Sequence, residues 1–104
     1  MFITTICVYI PCEIEHDYIE FITDNCESVK MYPSFNENSY EILYGLNDVE
    51  KKYVVYQFQY GMKPIDCLQL DINIIKNNHT HMYSDTIQFN GEYKNKHNIF
   101  INDL

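Results

Sequence analysis

Alanine, arginine and tryptophan are missing altogether from these 104 residues, and glycine and proline occur three times each. Each absence removes a class of structure or chemistry. Without arginine there is no bidentate fork for phosphates or guanine edges, so any nucleic-acid site would rest on lysine alone. With so few Gly and Pro, and those falling between periodic segments, there is no flexible linker to divide the chain. It reads as a single domain, residues 1–104. There is no internal repeat and no C-x-x-C pair among Cys7, Cys12, Cys26 and Cys67, which are expected to be reduced and mostly buried thiols. No Gly-rich phosphate loop, Gly-x-Ser-x-Gly elbow or His-Glu-x-x-His appears. No apolar run approaches the roughly 20 residues that a membrane helix needs.

What is present is apolar and acidic. Hydrophobic residues make up 46% of the chain, with ten Tyr and six Phe, a composition that must fold rather than remain disordered. Fifteen Asp and Glu against seven Lys leave a formal charge of −8. Such a surface repels phosphate backbones and anionic membranes and attracts cationic ones, so direct binding to nucleic acid or membrane is disfavoured. The abundance of Ile and Asn, with Lys as the only fixed cation, is the bias that AT-rich coding produces.

Residues 2 to 10 are rich in Ile, Val, Thr and Tyr and suit a strand covered on both faces, ended by Pro11. From Glu13 to about Cys26, Ile14, Tyr18, Phe21, Ile22 and Cys26 recur at helical spacing, which predicts one amphipathic helix. Tyr40 to Leu46 and Tyr53 to Tyr60 alternate as two strands of a hairpin, turning at Asn47-Asp48. Leu68, Leu70, Ile72 and Ile74 mark a half-buried strand, and Lys76 to Thr80 reads as a polar loop. Met82 to Phe89 and Glu92 to Lys96 pair about the favoured turn Asn90-Gly91, and Ile99 to Ile101 form a terminal strand. The expected class is α+β, a mostly antiparallel sheet in the order β-α-β-β-β-β-β with the N-terminal helix packed on it.

On that helix, Glu13, Asp17, Glu20, Asp24 and Glu27 step by four, three, four and three and would share one narrow arc opposite the apolar side. Like charges so spaced repel, and no Lys lies between Cys12 and Val29 to offset them. An acidic stripe of this kind is either an ordinary solvated face or a docking surface for a cationic partner, and the missing counter-charge favours docking. Tyr53, with Gln57, lies on the side of its strand opposite Val54 and Phe58 and is a candidate exposed anchor, as is Tyr93 beside the Asn90-Gly91 turn. The partner-binding set is therefore Glu13, Asp17, Glu20, Asp24, Glu27, Tyr53, Gln57 and Tyr93.

His79 and His81 share a strand face, and Asp85, Glu92 or His97 could supply a third metal ligand. Histidines of a polar loop usually have no such duty, so neither a metal, a cofactor nor a catalytic residue is expected. The stripe, the charge and the biased composition together resemble those of bacterial toxin-immunity proteins, including the immunity proteins of contact-dependent growth inhibition systems. That resemblance is one of class. These proteins have many unrelated folds, so no residue role is carried over. It implies a cytoplasmic inhibitor that binds a cognate toxin domain, commonly a nuclease, and occludes its cationic active-site cleft. A phage or viral inhibitor that mimics nucleic acid against a host defence protein would use the same surface. A small enzyme or metal-binding protein would require His79, His81 and His97 to converge.

Overall fold

A computed structural model describes residues 2–23, 28–33, 40–44, 50–62, 67–88 and 96–101. Among them the chain forms eight strands: β1 (Phe2–Pro11), β2 (Tyr18–Thr23), β3 (Ser28–Met31), β4 (Tyr40–Tyr44), β5 (Glu50–Met62), β6 (Cys67–Lys76), β7 (His79–Gln88) and β8 (Lys96–Phe100). They make two four-stranded sheets, ordered β4-β5-β1-β8 and β3-β2-β6-β7. The antiparallel pairs β2/β3, β4/β5 and β6/β7 alternate between the sheets, while β1 pairs with β5 antiparallel and with β8 parallel.

Alternation of side chains along each strand places one apolar row inward. Ile6, Val8 and Ile10 from β1, with Val54 and Tyr56 from β5, meet Ile19 and Phe21 from β2 and Leu68, Leu70, Ile72 and Ile74 from β6. One core thus draws on both sheets, the arrangement of a β-sandwich. Phe21 stacks on Phe58 across the two layers, with ring centroids 5.0 Å apart.

The described residues contain no helix, so the fold is all-β and the expected α+β class is overturned. Where the helix was expected, residues 12 to 17 form a non-helical link that begins with a turn, and β2 follows directly. The physical reason lies in Tyr18-Ile-Glu-Phe-Ile-Thr23. These aromatic and β-branched residues lose rotamer freedom in a helix but pack well on a pleated surface. Their burial alternates strictly, with Ile19, Phe21 and Thr23 inside. A helix would also have set Glu13 against Asp17 and Asp17 against Glu20 on one arc, whereas here Glu13 and Asp17 lie on the link and Glu20 on β2.

Other expectations fare differently. β1 is covered on both faces, since Cys7 and Tyr9 are buried as well as Ile6, Val8 and Ile10. β4 and β5 pair antiparallel as expected, and the C-terminal strand is tied into the sheet beside β1. The polar loop at Lys76 to Thr80 is instead a tight hairpin, with Asn77 and Asn78 at φ 49° and 65° between β6 and β7. Positive φ at both central positions is the requirement of the hairpin turn whose twist matches its strands, and Asn tolerates it. The Asn47-Asp48 and Asn90-Gly91 turns lie outside the described residues.

Candidate functional site

The link from β1 to β2 carries the chain from one sheet to the other, and its ends are fixed by backbone hydrogen bonds. Cys12 N–H donates to Lys52 O at 2.9 Å and Asp17 N–H donates to Ile75 O at 2.7 Å. Between them, Ile14 N–H donates to Pro11 O at 2.9 Å. Burial alternates along the link, so Glu13, Glu15 and Asp17 face solvent while Cys12, Ile14 and His16 turn partly inward.

His16 anchors this stretch. Its Nδ1 is 3.0 Å from Ile14 O, a carbonyl that can only accept, so Nδ1 carries the hydrogen. In the neutral ring Nε2 then accepts from the Tyr56 hydroxyl at 2.5 Å. Tyr56 reaches this point from the core, so the link is tied to β5 through one imidazole. No spacing rule singles out this histidine, whose partner is 40 residues away.

Beside the link is an open cleft of about 380 Å³, lined by Cys12, Ile14, Glu15, His16, Asp17, Pro33, Val54, Lys76 and Asn77. Burial pushes the Cys12 thiol above its usual range and Lys52 offsets part of that, so at neutral pH this sulfur is a protonated thiol rather than a thiolate. That is the wrong state for a nucleophile. Cys7, Cys12 and Cys67 are not in disulfides, and Cys26 lies outside the described residues.

The acidic stripe is redistributed. Glu13 and Asp17 sit on the exposed link, Glu20 lies half-buried on the outer face of β2, and Asp24 and Glu27 lie outside the described residues. There is no common helical arc. The expected lack of counter-charge is also corrected, because Lys51 from β5 is 3.3 Å from Glu13 and Lys76 from β6 is 3.7 Å from Glu15. Asp17 accepts the Asn77 backbone N–H at 2.8 Å, holding the link against the hairpin turn. Glu20 accepts from Ser28 Oγ at 3.0 Å and from Asn73 Nδ2 at 3.4 Å, a structural role across β3, β2 and β6.

Tyr53 does lie on the side of β5 opposite Val54, but it is only 8% exposed, which corrects its expected exposure. The cover is a second small cluster on the outer face of the first sheet. Tyr53 packs edge-on against Tyr9 at 6.1 Å and Phe100 at 5.9 Å, and Tyr9 stacks on Phe100 at 4.5 Å. Gln57 is exposed, and Tyr93 lies outside the described residues. Of the histidines, His79 and His81 are exposed on β7, whereas His97 Nε2 is 3.4 Å from Asp85 Oδ2. No three His, Cys, Asp or Glu side chains among the described residues are grouped to hold a metal, and no helix among them is long and apolar enough to cross a membrane.

No family model, no curated protein and no solved structure matches the chain.

Proposed function

We propose that this protein is a cytoplasmic immunity or inhibitor protein that binds a cationic protein partner, a toxin domain of the nuclease type, and occludes its active-site cleft. The observation that carries this reading is the exposed row Glu13, Glu15 and Asp17 on one link, in a chain whose formal charge is −8. A nuclease cleft is cationic because it holds phosphates, and opposite potentials speed encounter and fix orientation. The lysines that reach Glu13 and Glu15 are solvent-accessible surface partners, worth at most about 1 kcal/mol each, and a stronger cationic surface can displace them.

Affinity capture from the native source at low salt, with mass spectrometry of what is retained, identifies the partner. The recovered protein is then tested against a variant carrying Glu13→Gln, Glu15→Gln and Asp17→Asn, which keeps the hydrogen-bond acceptors and removes the charge. Association is expected to slow by about tenfold or more and to lose most of its salt dependence. A neutralised variant that binds and inhibits as well as the natural chain would remove the basis for this reading.

A further inference from the structure

The edges of the two sheets are unequal. β3, β4 and β8 are edge strands of four or five residues, and β3 and β8 carry Lys30 and Lys96. β7 is also an edge strand, but it has ten residues, His79–Gln88, pairs with β6 one-to-one without a bulge, and contains neither Lys nor Pro. Short length, lysine, proline, bulges and inward-pointing charges are the usual guards against edge-to-edge pairing. Of these β7 has only the half-buried Asp85, near its C-terminal end.

The backbone groups that β7 leaves open among the described residues can be identified. Ile75 O accepts from Asp17 N–H, so Ile75 faces β2 rather than β7, and its partner Thr80 must point its N–H and C=O away from β6. Alternation then makes Thr80, Met82, Ser84 and Thr86 outward-facing. Thr86 is already closed, because its N–H donates to Asp85 Oδ1 at 2.9 Å. The open stretch is therefore Thr80, Met82 and Ser84, centred on Met82, which is 68% exposed.

We propose that β7 is a homodimerisation edge, pairing antiparallel with β7 of a second copy about a two-fold axis at Met82. In this register Met82 faces Met82 of the other copy and Thr80 faces Ser84, so every open N–H and C=O of the stretch gains a partner. The arrangement is isologous, as a closed two-fold dimer requires. Both sheet faces also match, because the residues set opposite one another share the same parity along the strand. His79 falls opposite Asp85 of the other copy, so that a second imidazole approaches, twice over, a carboxylate already facing His97 of its own chain. A chain of net charge −8 thus meets its copy along a strand whose one carboxylate is Asp85. The two second sheets merge into one continuous sheet.

Sedimentation equilibrium from micromolar to millimolar concentration should show a reversible species of twice the 12.5 kDa chain mass, more populated as salt screens the repulsion between copies. Met82→Pro deletes an N–H that makes no bond to β6 but is donated across the axis. It should raise the dissociation constant roughly thirtyfold, the loss of two net hydrogen bonds. Met82→Lys leaves the backbone intact and should dissociate the dimer by opposing two ammonium groups, with thermal melts confirming that it is folded. With Cys67→Ser to remove the thiol exposed among the described residues, and Cys26→Ser beside it, Met82→Cys should cross-link two chains under mild oxidation, and Thr86→Cys should not. A chain that stays monomeric throughout, a dimer indifferent to Met82→Lys, or cross-linking through Thr86→Cys instead of Met82→Cys overturns the proposal.

Discussion

Thr4 and Thr23 are buried, and their hydroxyls have no hydrogen-bond partner among the described residues. A buried hydroxyl left unpaired costs about 1–3 kcal/mol. Thr4→Val, which keeps the branched shape, is therefore expected to raise the urea unfolding free energy by about 1 kcal/mol. Tyr53 leads to the opposite expectation. Because its ring closes the cluster with Tyr9 and Phe100, Tyr53→Ala should cost about 3 kcal/mol or more in the same measurement. A loss below about 1 kcal/mol would mean that the outer cluster is not packed as described. The thiols give a chemical check. Cys67 is exposed, Cys12 is half-buried and held protonated, and Cys7 is enclosed. Alkylation of the native protein at neutral pH, followed by peptide mapping, should modify Cys67 first, Cys12 slowly and Cys7 only on unfolding.

At the scale of elements, the β6/β7 hairpin is specified by Asn77 and Asn78, both held at positive φ. A residue with a branched Cβ pays for that conformation, whereas Gly does not. Asn78→Val should destabilise by about 1–2 kcal/mol, and Asn78→Gly should be neutral or slightly stabilising. Equal melts for the two variants would contradict the turn. The two readings of residues 13 to 26 turn on a weaker signal. Ile14, Tyr18, Phe21 and Ile22 satisfy a helical template, but Ile19, Phe21 and Thr23 satisfy a strand template equally well, and an interior Phe or Ile is counted by both. Periodicity alone cannot arbitrate over so short a stretch. The β-branched and aromatic content of Tyr18–Thr23 does, and it agrees with the structure.

For the whole molecule, the two proposed contacts should respond to salt in opposite directions. Docking of the acidic link on a cationic partner weakens as the Debye length falls, while pairing of two chains of like net charge strengthens. Measuring both on one preparation separates them, since Met82→Lys leaves the link untouched, whereas neutralising Glu13, Glu15 and Asp17 weakens docking but, by reducing the like charge of the two copies, should strengthen their pairing.

The composition, the charge of −8, the continuous apolar run of β1 and the alternations in β5 and β6 belong to the sequence itself, because a period of two with one apolar row specifies a half-buried strand and an unbroken β-branched run one covered on both faces. The pairing of β4 with β5 and the doubly covered β1 were legible for those reasons. Tertiary structure decided the rest. It alone brings Lys51 to Glu13 and Lys76 to Glu15, ties His16 to Tyr56 across 40 positions, and folds Phe100 over Tyr53. These contacts depend on which strands become neighbours and which sheet each one joins. That choice follows from burying all the apolar rows at once in a single core, a condition on the whole chain that no local spacing expresses.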